Sequence, residues 1–290
     1  MKHIILIAIL LPSFCISQRV IVLGFDGMGG QALKKVHTPN FDSLRANGAY
    51  TYKAEAVIPT SSSSNWAAMI NGAPPRVNTV HSNNWERTKI TGKKFCGQKE
   101  GEIFPTIFKV LREQKLKAKI ACVHHWEGFA RLANTEAIDT IINTKDAFAT
   151  CETTCELIEK MQPDFLFVHF DHVDHAGHEY GHFTPQYYRS IEVADSLTGL
   201  VINQLKKTGL YESTTIIVTA DHGGIRKGHG GLTRKEIEIP WIIAGPAINK
   251  NQRLKMRVRQ YDTAPTIAHV FKLAMPECWK GKPVKTAFLE

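Results

Sequence analysis

Two groupings of aspartate and histidine stand out in this chain: Asp174-x-x-x-His178 within FDHVDHAGHEYG, and the adjacent Asp221-His222 within IIVTADHGG. Each follows an apolar run with strand-like composition, so each set of side chains is expected where a strand gives way to a loop. Carboxylate oxygen and imidazole nitrogen together suit zinc, and less often manganese or iron. Asp26 follows another such run, Val20 to Phe25, and the hydroxyl-rich turn IPTSSSSNWAAM opens a helix at Ser62. Helix-start N–H groups and the helix dipole favour an anion, while metal coordination can ionise a hydroxyl that is otherwise a weak nucleophile. The combination describes a two-metal phosphoester hydrolase with a serine nucleophile. Taken singly, Ser61 to Ser64 read as a polar loop with an N-cap, and each Asp or His as an ordinary loop residue. Their joint occurrence carries the reading.

The elements that must position these residues alternate along the chain. Strand-like runs are Val20 to Phe25, Lys119 to Val123, Phe165 to Phe170, Thr215 to Thr219 and Trp241 to Ala244. Helix patterns cover Thr38 to Asn47, Ser64 to Asn71, Pro105 to Glu113, Pro185 to Lys206 and Thr263 to Phe271. Continuous apolar strands imply burial on both faces, hence an α/β/α sandwich with a mostly parallel central sheet. In such sheets ligands collect beyond the carboxyl ends of the strands, where Asp26, Asp174, Asp221 and His222 all fall.

The chain opens Met-Lys-His, continues through IILIAILLPSFCIS and turns polar at Gln18, the pattern of a secretory signal cut after Ser17. The apolar stretch is shorter than the roughly 20 residues a membrane span needs, and Pro12 interrupts it. Residues 18–290 then form a single domain, secreted or periplasmic, with no further transmembrane segment. The formal net charge of +9 favours anionic substrates in a general way. The basic residues are scattered, with no nucleic-acid-binding motif to organise them. Arg253, Lys255, Arg257 and Arg259 alternate with apolar residues and read as one solvated face of a strand. Of the five cysteines beyond the leader some should pair in an oxidising compartment: Cys151 and Cys155 are close enough for a local bridge, and Cys122 reads as a buried thiol.

The string PTSSSSNW, followed by Gly72-Ala73-Pro74-Pro75, resembles the nucleophile turn of type I phosphodiesterases and nucleotide pyrophosphatases, a family of the alkaline phosphatase superfamily. GFDGM, DHVDHAGHEYG, ADHGG and KGHGG match the family's further motifs in order, and the likeness extends to DTAPTIAHVF and WKGKPV. The resemblance implies two divalent ions, zinc first and manganese second. Asp174, His178 and His229 would hold one; Asp26, Asp221, His222 and the oxygen of Ser62 would hold the other. It further implies that Ser62 attacks phosphorus in a double displacement through a phosphoryl-serine, and that Asn65 donates to a non-bridging phosphate oxygen. For Asp171, His172, His175 and His182 the plain reading is a loop position or a supporting role beside the ligands.

The substrate implied is a small phosphodiester or nucleotide. Trp126-Glu127-Gly128 resembles the tryptophan-proline-glycine of nucleotide pyrophosphatases with Glu127 in place of proline, and no lysine-x-arginine pair follows the strand KIACV to clamp a monoester. Sulfatases carry proline and arginine where this chain has Ser64 and Trp66, and the spacing from Asn65 to Asp174 leaves little room for the inserted domain of cofactor-independent phosphoglycerate mutases. The competing readings are a periplasmic phosphomonoesterase, in which Arg76, Arg226 or Lys227 would supply the clamp, and a metal- or phosphate-binding protein that has lost catalysis.

Overall fold

The computed structural model of the protein describes residues 18–89, 96–99 and 101–290, so the leader expected at 1–17 lies outside the described residues. In chain order the elements are β1 (Arg19–Phe25), α1 (Pro39–Ala46), β2 (Gly48–Glu55), α2 (Ser62–Asn71), α3 (Pro75–Asn78), α4 (Ile107–Gln114), β3 (Ile120–His124), β4 (Thr140–Asn143) and α5 (Ala147–Lys160). They continue with β5 (Phe165–Phe170), α6 (His172–Tyr180), α7 (Pro185–Lys207), β6 (Thr214–Ala220), α8 (Arg234–Ile237), β7 (Glu238–Ala244), β8 (Gln252–Arg253) and α9 (Thr263–Val270). All the strands belong to one sheet, ordered β4-β3-β5-β1-β6-β7-β2-β8. Only β7 runs against its neighbours, β6 and β2. The expected single α/β domain with a mostly parallel sheet is the fold observed.

Register explains why the chemistry gathers at one place. Phe25 at the end of β1 pairs with Phe170 at the end of β5 and with Ala220 at the end of β6. The next residues, Asp26, Asp171 and Asp221, therefore leave three adjacent parallel strands at the same height. These strands are buried along almost their whole length, which fixes that height through the core rather than through the loops.

Several elements depart from the sequence expectation. Within FDHVDHAGHEYG, His172–Tyr180 form a helix, α6, rather than a loop. β2, with the sequence GAYTYKAE, and α5, with AFATCETTCELIEK, are absent from the expected elements. β2 mixes polar and apolar residues because it lies near the sheet edge. α5 carries β-branched Thr within a helix that is stabilised by Asp146, whose side chain accepts from the Ala149 N–H. The basic run is mostly loop: Gln252–Arg253 pairs as strand and Arg259 makes an isolated parallel bridge to Glu55, while Leu254 and Val258 are buried and Lys255 and Arg257 exposed. The disulfide joins Cys96 to Cys278, not Cys151 to Cys155, and Cys122 is a buried thiol whose pKa burial pushes up.

Candidate active site

Helix α6 starts directly after β5 and brings Asp174 and His178, one turn apart, onto one face. His178 Nε2 lies 3.1 Å from Asp174 Oδ2, and His229 Nε2 lies 3.8 Å from the same oxygen. Gly27, at φ +70°, lets the chain after Asp26 pass Asp174 closely; a Cβ there would sit 2.6 Å from the Asp174 side chain. Asp26, Asp221 and His222 form the neighbouring triad, completely buried, with His222 Nε2 3.4 Å from Asp26 Oδ1 and 3.2 Å from Asp221 Oδ2. The rings of His222 and His229 stack at 3.8 Å, so the two triads are adjacent. Both expected ligand sets are thus brought together, each within the span of one ion.

The hydrogen bonds behind these residues identify which atoms face the centre. Nδ1 of His222 meets the Gly223 carbonyl at 2.8 Å, that of His178 the Lys227 carbonyl at 2.9 Å and that of His229 the Thr60 carbonyl at 2.8 Å. A carbonyl only accepts, so each Nδ1 carries the hydrogen and a neutral ring turns a bare Nε2 inward. Asp221 Oδ1 accepts from the backbone N–H groups of Gly27 and His222, at 3.0 and 2.8 Å. That leaves Asp221 Oδ2, Asp26 Oδ1 and Asp174 Oδ1 buried without a donor. Asp26 Oδ1 and Asp221 Oδ2 converge on His222 Nε2, where their lone pairs repel one another, and a divalent cation held by these residues would satisfy them. The donor chemistry fits zinc or manganese.

Titration behaviour follows the same geometry. Burial lowers His222 to about 4, helped by His229, which keeps the ring neutral. The bond to Asp174 raises His178 to about 9, so without an ion that ring holds a proton at neutral pH. Burial and the charge of Asp26 push Asp221 up. For Asp26 burial acts upwards too, but the hydrogen bond from His169 and the proximity of His222 outweigh it, and its carboxyl falls below the usual range.

Ser62 is the first residue of α2, and its Oγ lies 3.3 Å from His222 Nε2. The loop before it is latched to the loop carrying His229: Thr60 Oγ1 donates to the Gly231 carbonyl and accepts from the Gly230 N–H. Asn65 does not face the centre. It is fully buried, its Oδ1 accepts from the Val57 N–H at 2.6 Å, and its Nδ2 is spent on the carbonyls of Pro59 and Ser61 at 3.1 and 3.0 Å. The residue braces the loop that leads into Ser62 and has no donor left for a phosphate.

Asn83, unremarked in the sequence, is the asparagine whose side chain reaches the start of α2 from another loop. Its exposed side chain accepts through Oδ1 from the Ser63 N–H at 2.8 Å, one residue after Ser62, so this bond does not use its own amide N–H groups. Arg131 pins this loop: Nη2 donates to Ser63 Oγ at 2.9 Å and to the Asn83 carbonyl at 2.6 Å, while Nε donates to the Trp85 carbonyl at 2.9 Å. Its guanidinium also lies 5.1 Å from the Trp126 ring.

The remaining candidates serve elsewhere. His172 Nε2 bonds the Ser190 carbonyl, His175 pairs with Glu179 on the outer face of α6, and buried His182 packs beneath Asp174 with Nε2 3.8 Å from Oδ1. Arg226 and Lys227 give backbone carbonyls to His182 and His178 while their side chains are exposed. Arg76 lines a separate cavity with Arg257, Arg259 and Tyr261. A further grouping, Asp26 with His169 and Asp171, shares one aspartate with the second triad.

Residues 20–227 match the family model "Type I phosphodiesterase / nucleotide pyrophosphatase". The chain belongs to this family. Among relatives, rat ectonucleotide pyrophosphatase/phosphodiesterase family member 3 is 24% identical over 218 residues, covering 70% of this chain and 24% of its own length. The venom phosphodiesterase of Naja atra is 24% identical over 217 residues, covering 70% of this chain and 26% of its own. The family domain seen here therefore spans about a quarter of the length of these two proteins. By fold, the chain superposes on human ectonucleotide pyrophosphatase/phosphodiesterase 5 with a TM-score of 0.75 at 16% identity, covering 89% of this chain and 96% of that one. It also superposes on a 2-O GAG sulfatase with a TM-score of 0.70 at 14% identity, covering 92% and 73%. Family members and sulfatases thus share this architecture.

Proposed function

We propose that this family member is an exported two-metal nucleotide pyrophosphatase/phosphodiesterase that works through a phosphoryl-serine. The observation that carries the reading is Ser62 Oγ against His222, whose ring stacks on His229, so that one hydroxyl at a helix N-terminus touches one ligand set and the other set lies directly beside it. Asp174, His178 and His229 would hold one ion and Asp26, Asp221 and His222 the other, supplying charge neutralisation for the attacking and leaving oxygens. Ser62 Oγ, its proton lost to solvent, bonds to phosphorus as the bond to the leaving-group oxygen breaks and that group departs; Asn83 donates to a non-bridging oxygen; and water then breaks the Ser62–phosphate ester, releasing the phosphoryl product and restoring the serine hydroxyl. His222, held neutral with a low pKa, is suited to ligation rather than to accepting the serine proton. The leader-like opening and the Cys96–Cys278 disulfide support export to an oxidising compartment. Among the described residues no helix is long and apolar enough to cross a membrane.

A diester substrate is favoured because no lysine-x-arginine pair follows β3 to clamp the two extra anionic oxygens of a monoester, and Arg131, next to the Asn83 loop, directs Nε and Nη2 to Trp85, Ser63 and Asn83. The murine relative of the fifth type was solved in complex with AMP, which supports a nucleotide as the group recognised. An aryl phosphodiester should be cleaved with a kcat/KM at least about tenfold above that of the matching monoester. A preference for the monoester would reverse the assignment to a phosphatase.

Asn83→Ala should lower kcat by about 10²-fold or more, the usual cost of one donor to a developing oxyanion, with the fold intact because the side chain is exposed. Steady-state kinetics on the aryl phosphodiester decide the point; a loss below about threefold would remove Asn83 from the site.

A further inference from the structure

We infer that Trp66 and His169 are positioning residues that clamp one oxygen of Asp26, so that only the other oxygen is presented to the second ion, and that Trp66 thereby sets Ser62 against that ion. The inference rests on the two-ion reading above and assigns roles to residues that touch neither ion nor substrate.

Asp26 Oδ2 receives two hydrogen bonds, from Trp66 Nε1 at 2.9 Å and His169 Nε2 at 3.2 Å, which fill its lone pairs. Oδ1 has no donor and points at His222. The carboxylate is thus split into a spent oxygen and an offered one. Trp66 lies four residues after Ser62 on α2, one turn along the same face. Its indole bond to the end of β1 therefore fixes both the rotation and the height of the helix that presents the nucleophile.

The sequence makes room for this arrangement at some cost. Gly24 interrupts the apolar strand β1 directly opposite His169, and a Cβ there would lie 2.6 Å from the Trp66 ring. Trp66 is held edge-on against Phe129 and Phe167, each with ring centres 6.0 Å away, and against His169 at 4.7 Å. All these side chains are completely buried, so the indole has little freedom to release Asp26.

A third ion between Asp26, His169 and Asp171 is the rival account of His169, and its hydrogen bonding argues against it. The three ligand histidines each donate Nδ1–H to a carbonyl, which bares Nε2. Nδ1 of His169 is buried with no partner. Its hydrogen belongs on Nε2, facing Asp26, and baring Nε2 for an ion would strand an N–H in the core.

Calorimetric zinc titration of the metal-stripped full chain tests the clamp. Wild type should take up two ions. Trp66→Phe, which keeps the ring and loses the donor, and His169→Leu should hold the first ion normally and the second about 10–100-fold more weakly. His169→Gln, which can return an N–H to Asp26, should stay within about threefold of wild type. In Trp66→Phe the loss with zinc saturating should fall on kcat rather than KM, because the nucleophile is displaced while substrate contacts remain. Trp66→Phe and His169→Gln preserve side-chain bulk, and an unchanged Tm shows that they fold even if His169→Leu does not. Wild-type affinity at both sites together with wild-type kcat in folded Trp66→Phe would reduce the pair to packing and leave the proposed chemistry standing. A wild-type protein that binds fewer than two ions would overturn the two-ion reading and the clamp with it.

Discussion

Ser62→Ala is expected to lower kcat on an aryl phosphodiester by at least about 10³-fold while leaving the fold and both metal sites in place. The side chain is 6% exposed, and its Oγ contacts His222 rather than any structural partner, so its removal opens no large cavity. Neighbouring serines provide the control. Ser61 and Ser64 bond to each other through their hydroxyls, and losing either should cost little activity. Ser63 is held by Arg131 and should fall between these limits. Acid-quenched wild type should carry the phosphoryl group on the peptide that contains Ser62, and the Ala variant should not. Near-normal turnover in purified Ser62→Ala would end the nucleophile assignment.

The residues that gather at the centre were legible because local pattern and long-range register coincide. Apolar runs such as VIVLGF and FLFVHF form central strands whose ends are level, so an aspartate just beyond each run had to converge with the others. Where function depends on loop closure, the sequence is silent. Asn83 sits in VNTVHSNNWER, a stretch with no helical or strand period. It reaches Ser63 because Arg131 and Arg87, on segments more than forty residues apart, bind each other's backbone neighbourhoods. Asn65 misled for the opposite reason: an amide at a helix start can serve a ligand or the chain, and only the folded loop shows the backbone of Val57, Pro59 and Ser61 consuming it. Helix α6 was hidden by its own chemistry. Asp, His and Gly weigh against helix when read locally, but Asp171 leads straight out of β5 and packing of Val173 and Ala176 supplies what propensity does not.

Stripping the metals should abolish activity, and restoring it should require two equivalents of zinc or manganese with release of protons. His178 carries a proton at neutral pH in the metal-free protein because Asp174 raises it to about 9, against an ordinary value near 6.5. That proton must leave before Nε2 can bind an ion, and Asp221, raised by burial and by Asp26, has to ionise in the same way. Zinc affinity at the site built on Asp174 should therefore climb with pH up to about 9 and level off above it. The His178–Asp174 pair has the opposite sign for the metal-free fold. Its folded pKa is raised, so its stabilisation is complete below about 6.5 and is lost as pH rises through about 9, a shift in balance that favours the loaded protein at alkaline pH. Calorimetry in buffers of different ionisation enthalpy counts the protons, and elemental analysis counts the ions. One ion or none in active protein would remove the two-metal mechanism, whereas two ions bound without pH dependence would remove His178 from the ligand set.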